Sequence, residues 1–186
     1  DKTNVDKADK IDKINALTNS LFDENIYSIE NDKISDFGFN KNEVLGLVKN
    51  KLEGQIHTGK MMSTLWDYVQ ALGVKILTSI EVTDIKDEGS KVSVTCNQIA
   101  FTSNKTVVCT NAFTNKLFPK IDVEPGRGQV LITKPIENLK IKGVFHVDEG
   151  YYYFRNYGNR ILFGGGRNLD FNGESTTEFS LNSSIF

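Results

Sequence analysis

The stretch RILFGGGRNLD, residues 160–170, places three consecutive glycines between an apolar run and an arginine. A phosphate-binding P-loop needs Lys-Ser/Thr at a helix N-terminus after its glycines, and neither feature follows here. Glycines at the end of a strand instead leave room for a ligand or for another backbone. We therefore predict that Gly166 and Arg167 line a pocket rim, where the guanidinium pairs with a carboxylate. The alternative is a glycine-rich bulge in which Arg167 pairs with Asp170.

A second candidate is the stretch YYYFR just upstream. The period of a β-strand puts Tyr151, Tyr153 and Arg155 on one face and the other two aromatic residues on the opposite face. One face is expected to pack on the core. The other would offer phenol hydroxyls and a guanidinium to a substrate, unless both faces are simply core.

The stretch KTVVCTN has contiguous apolar residues, which is typical of a strand buried on both faces. Ligands of open α/β sheets lie beyond the carboxyl ends of such strands, so Thr110 and Asn111 are candidate ligand contacts. A simple turn with an Asn cap is the alternative. Cys96 and Cys109 have no companion ligands at metal spacing, so we predict two buried thiols and no metal site.

The elements that must position these residues follow from periodicity. Apolar residues at spacings of three and four predict a helix from Ala8 to Leu21 and another from Met61 to Leu72, ended by Gly73. NKNEVLGLVKN predicts a short helix, and IYSIENDKISDFGF predicts short strands around an Asn-Asp turn.

Strands are predicted for VKIL, GQVLITK and GVFHV, and KVSVTC is expected to form a hairpin with IAF across Asn97 and Gln98. The Asn-Gly chemistry of NYGN predicts a second hairpin over residues 151–164, turning at Tyr157-Gly158.

Composition excludes several classes of protein. With 39% hydrophobic and 25% charged residues the chain is ordinary globular material, and a net charge of −2 argues against nucleic acid or an anionic membrane surface as a partner. No apolar run reaches the length of a membrane span. Two reduced thiols favour a cytoplasmic location. Met61 and Met62 are the only methionines, so the 186 residues are expected to be a piece of a longer protein.

Four stretches, taken in order, resemble the glycine/D-amino-acid oxidase (DadA-like) family of flavoproteins. They are EGQIHTGKMMSTLWDYVQALGVKILTSIEVTDI, KTVVCTNAFTNKLFP, VEPGRGQVLITKP and YYYFRNYGNRILFGGGRNLD, from about Glu53 to Asp170. The resemblance implies a mixed α+β fold in which part of a Rossmann-like FAD-binding domain is interleaved with an antiparallel-sheet substrate domain. It implies a substrate-domain segment with a covering helix (1–52), a partial FAD-binding segment (53–119) and the substrate-binding sheet (120–186).

The same resemblance implies FAD as cofactor and an amine or amino acid as the small-molecule substrate, oxidised by hydride transfer to the flavin. Val82 matches the position whose backbone meets the adenine end of FAD. Cys109, Thr110 and Asn111 match the strand end that runs beside the cofactor.

On the substrate side, Tyr153 matches an active-site tyrosine. Gly166 matches a position that often carries a larger active-site side chain, with Arg167 next to it. A glycine at that position would leave a roomier pocket.

The family's N-terminal G-x-G-x-x-G unit does not occur in these 186 residues. Since that unit holds the FAD pyrophosphate, we expect this piece alone to bind FAD weakly and to be inactive. A catalytically silent module that binds a small ligand or a protein is the alternative function. A dehydrogenase that passes electrons to a quinone or a protein is a third. The substrate, the electron acceptor and the oligomeric state stay open.

Overall fold

A computed structural model describes residues 2–185, with side chains from residue 8 onward. Its helices are α1 (Lys2–Phe22), α2 (Thr58–Ala71) and α3 (Thr114–Leu117). Its strands are β1 (Tyr27–Ile29), β2 (Val48–Asn50), β3 (Val82–Asp87), β4 (Val92–Cys96), β5 (Ala100–Ser103), β6 (Val130–Ile132), β7 (Val144–Val147), β8 (Tyr152–Tyr157) and β9 (Arg160–Gly165). The predicted mixed α+β class is confirmed. Among the described residues, no helix is both long and apolar enough to cross a bilayer.

The chain forms two compact units, each built from two stretches of sequence. Unit 1 comprises residues 1–56 and 130–165, and unit 2 comprises residues 57–129 and 166–186. The three segments predicted from the sequence are a different division of the chain and remain a prediction, as does the Rossmann-like character of the FAD-binding part.

Unit 1 is organised around an antiparallel sheet with the strand order β6-β9-β8-β7. One face of this sheet carries an aromatic cluster. The Phe145 and Phe154 rings stack with centroids 5.2 Å apart, and Phe37 and Phe39 meet Phe145 edge-on at 5.1 and 5.2 Å. Such edge-to-face contacts add to the free energy of burying the rings.

The start of unit 1 is fixed by a buried amide. Asn15 of α1 is 4% exposed; its Oδ1 accepts hydrogen bonds from the backbone N–H groups of Ile26 and Tyr27, and its Nδ2 donates to the Tyr27 carbonyl. The predicted first helix is confirmed. Its predicted apolar face is only partly buried, however, because Leu17 and Leu21 lie exposed.

Unit 2 contains α2 and the antiparallel meander β3-β4-β5. The predicted second helix is confirmed, and Gly73 follows its end with φ +85°. The predicted hairpin between β4 and β5 is also confirmed: it closes through a hydrogen bond from the Cys96 N–H to the Ile99 carbonyl, so Asn97 and Gln98 form the turn.

Four predictions about local structure are wrong. The stretch IYSIENDKISDFGF forms only its first strand, β1, because residues 31–33 make a 3-10 turn and residues 34–38 continue as turns. The stretch NKNEVLGLVKN forms turns followed by β2, since residues 48–50 pair with β1. The stretches VKIL and KTVVCTN form no strand, because neither finds a partner strand among the described residues. Val107, expected to be buried on both faces, is 84% exposed, and Cys109 is likewise exposed instead of buried.

Candidate functional site

The hairpin of β8 and β9 forms as predicted and presents Tyr153 and Arg155 on one face of the unit 1 sheet. Its turn lies at residues 158–159, one position later than predicted, because Tyr157 still pairs with Arg160. Tyr151 does not share this face by alternation. It precedes the strand and has helical dihedral angles, with φ −65° and ψ −24°.

The Tyr153 ring lies directly on a bare glycine. A Cβ placed on Gly164 would stand 2.5 Å from Cζ and Oη of Tyr153, so the ring occupies the space that any other residue would fill. His146, which pairs with Tyr153 across the β7–β8 ladder, has its ring centroid 6.3 Å from that of Tyr153. The Tyr153 face therefore offers a phenol and an imidazole side by side.

Sequence reasoning missed His146. The signal was available, because GVFHV was predicted as a strand and the strand period alone gives the faces of its side chains. What it lacked was the register that sets His146 opposite Tyr153.

Gly165 allows two backbone segments to approach each other in unit 1. Its φ is +120°, and a Cβ at this position would lie 2.1 Å from the Tyr151 carbonyl oxygen. Gly166, with φ +81°, then leads into a 3-10 turn over Arg167–Leu169 in unit 2. Gly164 and Gly165 thus make room for the protein's own ring and carbonyl.

The Arg167 side chain lies in a cradle within unit 2. Its guanidinium carbon stands 5.6 Å from the centre of the Phe171 ring, and its Nη2 donates a long hydrogen bond of 3.4 Å to Ser175 Oγ. A Cβ on Gly126 would be 2.8 Å from Nη1, so the guanidinium lies against bare backbone. The Nε–H of Arg167 is buried and has no hydrogen-bond acceptor among the described residues.

Asp170 is not the partner of Arg167, so the predicted alternative of an Arg167–Asp170 pair is wrong. The Asp170 carboxylate accepts hydrogen bonds from the Asn182 side chain at 2.8 Å and from the Gly173 N–H at 2.9 Å. These two hydrogen bonds lower the pKa of Asp170, and the bond from Asn182 has the larger effect. Within the described residues, Arg167 therefore keeps most of its N–H donors unused, and no carboxylate lies within ion-pair distance of it.

Arg127, in contrast, uses all five of its N–H donors. Its Nε and one Nη2 hydrogen bind the two carboxylate oxygens of Glu174 at 3.1 and 2.7 Å. The other three hydrogens go to Ser180 Oγ and to the carbonyls of Gly173 and Glu178. We call this arrangement the Arg127 clamp, since it joins the PGRGQ loop to residues 173–180.

The charges of the clamp are buried. Glu174 is 1% exposed, and its carboxylate also accepts a hydrogen bond from Gln129 Nε2 at 3.0 Å. The Arg127 hydrogen bonds lower the pKa of Glu174 to about 2, against the opposing effect of burial, and Glu174 in turn raises the pKa of Arg127. Both groups stay charged at neutral pH and hold each other.

The residues predicted to contact the cofactor all lie in unit 2. Val82 opens β3, where it pairs with Cys96, and α3 packs against this strand. Thr110 Oγ1 is 3.1 Å from Thr114 Oγ1, and Asn111 starts a 3-10 turn with the unusual φ of +43°. A positive φ at a non-glycine residue is uncommon and is typical of specialised turns.

The comparisons with known proteins give the class of this chain. It matches the family model of the FAD-dependent oxidoreductases (DAO) over residues 16–183, so the chain belongs to this family. The family gives FAD as the cofactor of the parent protein and redox chemistry as its activity. A search of curated proteins finds no match.

Part of unit 2 is suited to contact such a cofactor. Cys109 and its neighbours at residues 105–110 belong to no helix or strand, and much of this segment is exposed. Its main-chain N–H and C=O groups can therefore bind a ligand. FAD, when bound, supplies the acceptor for two electrons and a proton.

Proposed function

We propose that the parent protein oxidises an amino acid, in the manner of the glycine/D-amino-acid oxidase (DadA-like) family, and that Arg167 binds the substrate carboxylate. The observation that carries this proposal is the contrast between the two arginines of unit 2. Arg127 has no donor left to offer, whereas Arg167, within the described part of the chain, has a buried, unpaired Nε–H and one long hydrogen bond. A buried donor without an acceptor is destabilising, and a ligand carboxylate would satisfy it.

The competing cation is Arg155, which is half-buried on the Tyr153 face of unit 1 and has no ion pair with the described residues. A charge-assisted pair contributes roughly 1.5–3 kcal/mol, so loss of the correct arginine should lower kcat/KM at least about tenfold. Lysine keeps the charge but lacks the planar fork that meets both carboxylate oxygens.

The test compares Arg167→Lys with Arg155→Lys in the full-length, FAD-loaded protein, with flavin content measured for each variant. We expect Arg167→Lys to raise KM for the amino acid and Arg155→Lys to leave it unchanged. The reverse pattern would give the role to Arg155. If neither variant changes turnover, the substrate carries no carboxylate at these positions.

The Tyr153 face is proposed as a substrate-facing surface in its own right. Its phenol is fixed over Gly164, and His146 stands beside it. We include Tyr151 in this proposal because it adjoins the same hairpin. Replacing Tyr153 with Phe keeps the ring and removes the hydroxyl, so any loss of kcat/KM in this variant measures the hydroxyl alone.

For the cofactor, we propose that the backbone of Val82 and residues Cys109, Thr110 and Asn111 contact FAD in the parent protein. The 186 residues contain no G-x-G-x-x-G unit to hold the pyrophosphate, so by themselves they should bind FAD weakly and have no activity. Titration with FAD, followed by flavin fluorescence, tests this expectation. Tight stoichiometric binding would show that other residues hold the cofactor.

The absorption spectrum of the full-length protein as purified separates the enzyme from a catalytically silent binding module. A bound-flavin band supports the oxidoreductase, and a protein without one supports the module. Oxygen consumption during turnover then separates an oxidase from a dehydrogenase with a quinone or protein acceptor. We also propose a cytoplasmic location, on the ground that Cys96 and Cys109 are both free thiols.

A further inference from the structure

We propose that Gly126 is a specificity-determining residue, because its missing side chain sets where the Arg167 guanidinium stands. This inference rests on the proposed function, in which Arg167 binds the substrate carboxylate. It adds a second position to carboxylate recognition, on a loop about forty residues upstream of the cation itself.

The contact is close and involves the functional end of the arginine. A Cβ on Gly126 would lie 2.8 Å from Nη1, 2.9 Å from Cζ and 3.2 Å from Nη2 of Arg167. Non-bonded heavy atoms rest at roughly 3.5–4 Å, so even one methyl group would displace the guanidinium by more than about half an ångström.

The backbone of the loop does not itself demand glycine at this position. The φ of Gly126 lies outside the left-handed region, in which side chains are strained, and the residue is exposed. The Gly126→Ala variant is therefore expected to fold. The glycine is explained instead by the space that the Arg167 guanidinium occupies.

The loop cannot retreat from an added side chain as easily as the guanidinium can move. The next residue, Arg127, donates its backbone N–H to the Glu174 carbonyl at 2.8 Å, and its side chain is saturated by the clamp. Among the residues that the structure describes, the Arg167 guanidinium is held by one long hydrogen bond to Ser175 and by the Phe171 ring. A methyl group on Gly126 should therefore move the cation and leave the loop in place.

Two-pronged recognition of a carboxylate depends on the position of the guanidinium plane. Misplacing a substrate-binding group by about 1 Å can cost up to two orders of magnitude in rate, so a shift of about half that size should weaken carboxylate binding on the order of tenfold. Substrates or inhibitors that lack the carboxylate should bind as before.

The same loop provides a matched control. Gly128 is two residues away, is also exposed with a φ outside the left-handed region, and a Cβ on it would meet nothing within 4 Å. The experiment measures KM and kcat for the amino acid in the full-length, FAD-loaded Gly126→Ala and Gly128→Ala variants. It also measures competitive inhibition by propionate and by its uncharged match, propionamide.

We expect Gly126→Ala to raise KM and the propionate inhibition constant about tenfold, with the propionamide constant, melting temperature and flavin content unchanged. Gly128→Ala should match the wild type throughout. Gly126→Ser carries the same Cβ and should shift in the same direction. Wild-type values for both Gly126 variants would overturn the proposal.

A double-mutant cycle tests whether Gly126 acts through Arg167. In an Arg167→Ala background the guanidinium is gone, so Gly126→Ala should add no further change in KM. An equal increase in both backgrounds would overturn the proposal, because the methyl group would then act on something else. If Arg167→Lys itself leaves KM unchanged, the proposed role of Arg167 fails, whereas an effect of Arg167→Lys without one of Gly126→Ala defeats this inference alone.

Discussion

The aromatic cluster of unit 1 and the Arg127 clamp of unit 2 each fasten a loop to the rest of their unit, the first by apolar packing and the second by a buried ion pair. The Phe37, Phe39, Phe145 and Phe154 rings join a loop to a sheet face through apolar contact that has no charge. The clamp joins a loop to residues 173–180 through one guanidinium and one buried carboxylate. Apolar packing loses stability gradually as atoms are removed, but a buried ion pair fails when either partner is lost. The two units should therefore respond to different perturbations.

The largest expected effect is that of Arg127→Ala. Removing the guanidinium leaves Glu174 buried without a cation, and breaking a buried pair in this way costs roughly 3–5 kcal/mol of stability. Trp66, the only tryptophan of the chain, lies in α2 of unit 2, so its fluorescence during urea unfolding reports on that unit. A loss below about 1 kcal/mol would show that the clamp is marginal.

Phe145→Ala should be the next largest perturbation and should act on unit 1. Phe145 is half-buried and contacts three other rings, so we expect a loss of about 2–3 kcal/mol, below the full cost of truncating a core phenylalanine. Amide hydrogen exchange in β7 and β8 measures it. Phe145→Leu should recover part of the loss, and an unchanged exchange rate in both variants would contradict the role of the cluster.

The pH dependence sharpens the comparison. The pKa of Glu174 is lowered from 4.5 to about 2 in the folded chain, so the unfolded chain binds a proton more readily. The stability that this group contributes is therefore fully present above pH 4.5 and is lost as the pH falls toward 2. Trp66 fluorescence should show this loss in the wild type. In Glu174→Gln the contribution is absent at every pH, so a loss of the same size there would assign it to another group.

The smallest effect is expected for an exposed ion pair in unit 1. Lys51 and Glu24 pair with side chains that are 39% and 51% exposed. Surface pairs of this kind contribute roughly 0–1 kcal/mol, so Lys51→Ala should shift the unfolding midpoint only slightly. A loss as large as that of Arg127→Ala would mean that burial does not explain the strength of the clamp.

The sequence predicts the parts of this fold that depend on neighbouring residues. The helix that ends before Gly73, the hairpin across Asn97 and Gln98 and the hairpin β8–β9 are all encoded by local periodicity and turn chemistry. Local information also gives the shared face of Tyr153 and Arg155, since alternation within one strand needs no partner.

Contacts between distant residues could not be predicted in the same way. Arg127 and Glu174 are 47 positions apart, and neither lies in a sequence motif that predicts an ion pair between them. The alternative in which Arg167 pairs with Asp170 failed for the same reason, because Asn182, twelve residues along the chain, donates a hydrogen bond to the Asp170 carboxylate. The predicted strand at KTVVCTN does not form, because an apolar run becomes a strand only where another strand is available to pair with it.

The three positions Gly164, Gly165 and Gly166 should accept different residues in a library that randomises their codons and is selected for folded protein. At the first codon alanine can survive if the Tyr153 ring shifts, since the obstacle is the end of a side chain. The second codon should accept only glycine, because a carbonyl oxygen and a φ of +120° both stand against any Cβ. The third codon, at φ +81°, should also admit asparagine, which tolerates left-handed backbone better than most residues do. Three consecutive glycines in the sequence thus differ in which substitutions they tolerate.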